Sequence, residues 1–187
     1  MQFLFSLSKR LEAISTAIGR SSVWLILVLM LVIIADVTLR HWFVIGSTKL
    51  QELEWHLHGA LFLLCLGWAY TKNAHVRIEL LAERFTKRRA ASVEMLGCVF
   101  FLLPYVAAIL IFGYDYVAYS IQYNEASASA TGLPYRWIIK SMIVVGFGAL
   151  GIAALARMAE CIIFLYGPQS LAKQTMFAAP HSNQGLG

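Results

Sequence analysis

Apolar and polar positions segregate along this chain on the scale of whole helices. Long apolar runs recur at Val23–Ala35, Leu61–Tyr70, Val99–Phe112 and Ile138–Ala156. With their flanks they approach the roughly 20 residues a helix needs to cross the hydrocarbon of a bilayer. The pattern predicts an all-α integral membrane fold with four transmembrane helices. The first spans about Ser22 to Trp42, and the second opens near Glu52 and completes with Leu61–Tyr70. The third spans about Val93 to Tyr119, and the fourth about Trp137 to Ala156, with Arg157–Tyr166 extending it. Pro104 inside the third predicts a tilted or kinked helix.

Two weaker periodicities flank these runs. Phe3, Leu4, Leu7, Leu11, Ile14 and Ile18 recur at helical spacing, which predicts an N-terminal amphipathic helix in the membrane interface. Within the connector Thr71–Arg89, Val76, Leu80, Leu81 and Phe85 form one stripe of an amphipathic helix between helices 2 and 3. No Gly-rich linker or repeat divides the chain, so one membrane domain is expected over residues 1–167, followed by a polar, flexible cytoplasmic tail over 168–187.

Composition supports lipid as the solvent. The 187 residues are 59% hydrophobic and 13% charged, whereas a soluble domain carries about 25% charged residues. The net charge of +5 does not point to nucleic acid, because the basic residues sit beside apolar runs rather than interleaved with aromatics. They act as topology signals. Lys9, Arg10, Arg20, the connector's Lys72, Arg77, Arg84, Lys87, Arg88 and Arg89, and then Arg157 and Lys173 fall on one side; Arg40, Lys49, Arg136 and Lys140 fall on the other. Since Lys and Arg concentrate in the cytoplasm, both termini and the connector are expected there, with the Gly46–Gln51 turn and the Ile121–Gly132 loop opposite. Lys9, Arg10 and Arg20 precede an apolar run with no small-x-small cleavage site, so an uncleaved signal-anchor is expected. Cys65, Cys98 and Cys161 lie far apart and read as small apolar residues.

The chemistry-bearing residues are few. No phosphate loop, His-Glu-x-x-His helix, nucleophile elbow or Cys/His cluster occurs, and no enzyme activity, cofactor or metal is expected. Glu52, Glu54, His56 and His58, with His75 further on, could in principle hold a metal, relay protons or ligate a haem. However, His41, His56 and His58 gather near one boundary while His75 lies at the other. Acidic and His residues at a helix start more often cap it or meet a partner, because an ionised side chain at the bilayer centre costs about 2.5–3.5 kcal/mol. Asp36 and Arg40, one turn apart, are placed to form an intramembrane or interfacial ion pair. His75 and Arg77 suit either a lipid headgroup or partner contact or a solvated turn that fixes topology.

Taken in order, Glu52-Leu53-Glu54-Trp55-His56 at the second helix, His75-Val76-Arg77-Ile78-Glu79 after it, and Gly132-Leu133-Pro134 with Trp137, Lys140 and Gly146 at the fourth resemble the DctQ-like small membrane subunit of tripartite ATP-independent periplasmic (TRAP) transporters. Ile78-Glu79 stands where a valine and an aspartate are common, and Thr131 stands where a second glycine is frequent. These departures leave the subgroup and the substrate open. The resemblance implies a bacterial inner-membrane protein that works with a large multi-pass subunit, a periplasmic substrate-binding protein and membrane lipids in sodium-driven uptake of an organic acid. It implies a bracing role, with Glu52, Glu54, Trp55, His56, His75 and Arg77 as partner contacts, and Gly132, Leu133, Pro134, Trp137 and Lys140 as a periplasmic loop and anchor. Two other classes remain open from the residues alone: a membrane-bound haem or quinone redox subunit, and a stand-alone four-helix exporter.

Overall fold

Helices make up most of the described backbone. The computed structural model describes residues 1–72 and 86–177. The connector stripe of Val76, Leu80, Leu81 and Phe85, and with it the expected amphipathic connector, lies outside the described residues. The elements are α1 (Gln2–Ser22), α2 (Trp24–Trp42), α3 (Thr48–Thr71), α4 (Lys87–Gly97), a π-helical turn (Cys98–Leu102), α5 (Leu103–Gln122), α6 (Trp137–Tyr166) and the short α7 (Gln169–Ala172). No strand occurs among the described residues.

Two of these runs are near-continuous rods. Helices α1 and α2 are separated only at Val23, which keeps right-handed helical dihedrals of φ −58° and ψ −31°. Helices α4 and α5 are joined through the π turn, which ends immediately before the Leu103-Pro104 start of α5. The π turn sits where Pro104 disturbs the ladder: the proline has no N–H to give and its ring crowds the carbonyl four residues back, and a wider turn accommodates both.

Three rods are long and apolar enough to cross a membrane: Gln2–Trp42, Lys87–Gln122 and Trp137–Tyr166. Of the four crossings expected, α3 is the one outside this group, because Glu52, Glu54, His56 and His58 make its first half polar. The fourth helix runs ten residues past Ala156, to Tyr166, as one unbroken helix.

Helix α6 is the axis of the bundle, packed on α1, α3, α4 and α5, while α2 lies along α3. Its buried face is built of small residues, among them Gly146, Ala149, Gly151, Ala153, Ala154, Ala156 and Ala159. Helices in lipid gain little from apolar burial, so close backbone approach is what joins them. The approach is tight here: Gly146 sits on the Leu63 carbonyl, Gly67 on the Ala149 carbonyl and the Ser15 hydroxyl, and Gly19 on Trp68. Helix α1 likewise buries only Ser8, Ser15, Gly19 and Ser22. The large apolar side chains point outward instead, including Trp24, Leu31 and Ile34 on α2, Phe101 in the π turn, and Ile111 and Phe112 on α5. So extended an apolar exterior belongs against lipid or another membrane protein rather than water.

Candidate functional site

The polar residues collect at the two ends of the bundle. At the end carrying the 43–47 and 123–136 loops, Ser47 caps α3 by accepting from the Leu50 N–H at 3.4 Å. One turn later Glu52 turns inward and is buried. Its carboxylate accepts the Leu133 N–H at 2.7 Å, and the Ser127 hydroxyl donates to its other oxygen. Gly132 packs against both Ser127 and Glu52, leaving no room for a Cβ.

The loop itself is closed by backbone bonds, Ser127 N–H to Leu133 C=O and Arg136 N–H to Glu125 C=O, each 3.0 Å. Thr131 reaches back to Thr48 at 3.2 Å. Asn124 and Tyr135 turn the chain with positive φ of 45° and 60°. Two stretches of the family-like motif, Glu52 on one helix and Gly132-Leu133 before another, are therefore a single hydrogen-bonded clasp.

Lys140 forms the second tie at this end. It is buried in the first turns of α6, pairs with Glu125 and lies 3.7 Å from the centroid of the Tyr116 ring. Hydrogen bonding to the Lys140 ammonium holds the Glu125 carboxyl below its usual range. Trp137 opens the same helix.

The other predicted residues divide. Trp55 projects outward, 74% exposed. Glu54 Oε1 and His56 Nδ1 are covered yet have no hydrogen-bond partner among the described residues. Asp36 and Arg40 do pair, with the Asp36 side chain 2% exposed and Arg40 54% exposed. Asp36 is the single buried residue of α2, and its Oδ1 has no partner among the described residues. His75 and Arg77 lie outside the described residues. Among the described residues no His, Cys, Asp and Glu side chains group into a metal site.

The opposite end holds a network that charge counting along the chain missed. Arg157, 4% exposed, donates to the Tyr70 and Thr71 carbonyls at 3.2 and 3.1 Å. It thereby caps the C-terminus of α3, where a cation opposes the helix dipole. Glu160 lies 3.6 Å from Arg157 and 2.9 Å from Lys9 of α1. The Tyr70 hydroxyl in turn donates to Glu94 of α4 at 3.0 Å. Four helices are thus joined at one point. The available signal was two charges, Arg157 and Glu160, set three apart in a run of alanines, where a free surface charge is out of place.

This arrangement ties the helices together through buried polar groups at both ends of the bundle, and comparison with known proteins places it. No curated protein and no solved structure matches the chain. The family model described as tripartite ATP-independent periplasmic transporters, DctQ component, matches residues 29–164. That stretch runs from α2 to near the end of α6 and contains the Glu52 clasp, the Lys140 tie and the glycine contacts between α3 and α6. The chain belongs to the DctQ family of TRAP-transporter small membrane subunits.

Proposed function

We propose that this chain is the non-catalytic brace of its transporter, holding the large membrane subunit and helping to dock the periplasmic binding protein for sodium-driven import of an organic acid. The observation that carries this reading is the division of labour on the chain's surface. Buried charged groups at both ends are consumed in ties within the chain, while the outer faces of α2 and α5 carry large exposed apolar side chains. A body of that kind keeps its shape and offers a flank to a neighbour in the membrane.

On this reading α2, α3, the α4–α5 rod and α6 make four crossings. Helix α2 is about 28 Å long and α3 about 36 Å at 1.5 Å per residue, both near or above the hydrocarbon thickness of about 30 Å. The short 43–47 connection obliges α3 to return along α2. The α1–α2 rod is about 60 Å long, twice what a crossing needs, so this reading gives the crossing to α2 and lays α1 in the membrane interface. It has the chain turn at Val23, where the ladder tightens to Val23 N–H on Arg20 C=O and Ile26 N–H on Val23 C=O. Both termini are cytoplasmic and the 123–136 loop periplasmic on this reading, which the distribution of Lys and Arg supports. A reporter active only in the periplasm should be silent when fused after Tyr166 and active when inserted near Ser127; the reverse pattern overturns the orientation.

Glu54, Trp55 and His56, joined by His75 and Arg77 on the connector, are the proposed contacts with the large subunit. Trp55 faces outward beside two side chains with unpartnered polar atoms. Gly132, Leu133, Pro134, Trp137 and Lys140 shape the loop that meets the binding protein, with Glu52 holding it in place. Replacing Glu54→Leu and His56→Leu together should cut co-purification of the large subunit several-fold. Undiminished recovery with normal uptake would reduce these residues to headgroup contacts.

A further inference from the structure

Around α1 the side chains fall into three sectors. Ser8, Ser15, Gly19 and Ser22 form the edge buried against α3 and α6. Next around the helix, at 3.6 residues per turn, come Leu4, Leu7, Leu11, Ile14 and Ile18, with Phe3 at the outer margin. The largest of these face away from the protein: Phe3 is 80% exposed, and Leu7 and Ile14 are exposed as well. Beyond them lie Arg10, Lys9 and Arg20. Lys9 is committed, at 2.9 Å from Glu160 and 3.0 Å from Glu12. Arg10 and Arg20 are exposed, and neither meets a carboxylate among the described residues.

Glu12 is the only acid on α1, and it already serves Lys9. Arg10 is three residues from Leu7 and four from Ile14, so its guanidinium stands beside exposed apolar groups on the helix surface. Bare apolar side chains next to uncommitted guanidinium groups match one partner best, the boundary of a bilayer where acyl chains give way to phosphates. Arg suits phosphate particularly, since its planar fork binds two oxygens at once.

The geometry points to α1 as a seat for anionic phospholipid, with Arg10 and Arg20 on the headgroup phosphates and Phe3, Leu7 and Ile14 in the acyl boundary. Zwitterionic lipids also carry phosphate, but their own cation competes with the arginines, so the uncompensated positive charge selects lipids of net negative charge. The inference rests on the interfacial reading of α1 given above, and the test separates the two.

The full chain, with Leu7 replaced by the photoreactive residue benzoylphenylalanine, is placed in nanodiscs of phosphatidylethanolamine with a minority of phosphatidylglycerol. After illumination, adducts are identified by mass spectrometry. Lipid adducts should form, with phosphatidylglycerol over-represented relative to the bilayer. Combining Arg10→Gln and Arg20→Gln should return its share toward the bulk value, with the preference falling roughly fivefold per arginine. Lipid adducts at the bulk ratio, or an enrichment that survives the double substitution, overturn the anionic seat and leave α1 at the interface. Adducts to protein, or none, overturn both.

Discussion

Replacing Gly146→Ala or Gly67→Ala should lower the thermal midpoint of the purified chain by on the order of 10 °C, while Gly148→Ala leaves it level or slightly raised. The three positions share a helical backbone and a neighbourhood, but differ in what a methyl group would meet. At Gly67 a Cβ would stand 2.7 Å from the Ala149 carbonyl oxygen, and at Gly146 it would stand 2.7 Å from the Leu63 carbonyl carbon. At Gly148 nothing lies within 4 Å. A backbone carbonyl cannot swing aside as a side chain can, so the helices must separate, and overpacking of this kind costs about 3 kcal/mol. For a chain of this length that corresponds to a midpoint shift of on the order of 10 °C. At Gly148 the substitution only removes unfolded-state freedom and favours the helix by up to about 1 kcal/mol. The measurement is thermal unfolding in detergent followed by tryptophan fluorescence. Equal midpoints for Gly146→Ala and Gly148→Ala would mean that α3 and α6 are not joined by backbone contact at this point.

The same glycines mark how far the sequence could be read. Gly146 was noticeable as part of the family-like pattern, yet nothing along the chain showed that it touches Leu63, because that contact depends on which face of α6 meets α3. Hydropathy over whole helices is a local property, which is why the apolar runs at Val23–Ala35, Val99–Phe112 and Ile138–Ala156 could be read directly. Helix α3 was recognisable despite its polar start, but the cause of that polarity was not. Glu52 stood out because a carboxylate near a membrane is costly, and a partner protein was the natural claimant. Within the chain it already accepts the Leu133 N–H, 81 residues away. Such a pairing between a side chain and a distant backbone group leaves no trace in local pattern.

Arg157 shows a complementary limit. Counting it among the charges of one side does not reveal that it is buried and caps α3. Charge counting assigns a residue to a side of the membrane, but burial depends on the helices packed around it. Asp36 and Arg40 were the easier case, since a pair one turn apart on one helix needs no knowledge of the tertiary fold, and they do pair. What their spacing did not show is that the acid would be the only buried residue of α2.

Leaving this subunit out of a reconstituted transporter should reduce uptake to background, whereas exchanging it for the small subunit of a related system should leave the preferred substrate unchanged. The argument concerns which cations are free to act. Recognition of a carboxylate calls for well-placed donors, often an arginine fork, lining a water-accessible cavity. In this chain the buried cations are committed elsewhere: Arg157 to the Tyr70 and Thr71 carbonyls beside Glu160, and Lys140 to Glu125 and the Tyr116 ring. Arg40 is held by Asp36, an acid that would repel an anionic substrate. On the proposed bracing role, selection belongs to the binding protein and the large subunit, and this chain matters through assembly. The measurement is uptake of labelled substrate into proteoliposomes under an imposed sodium gradient, with and without this subunit and with the exchanged one, after assembly has been checked by co-purification. Uptake that persists without the subunit would show that the large subunit needs no brace. A substrate preference that follows the exchanged subunit would place part of the recognition site in this chain, on groups other than the cations already tied into its own fold.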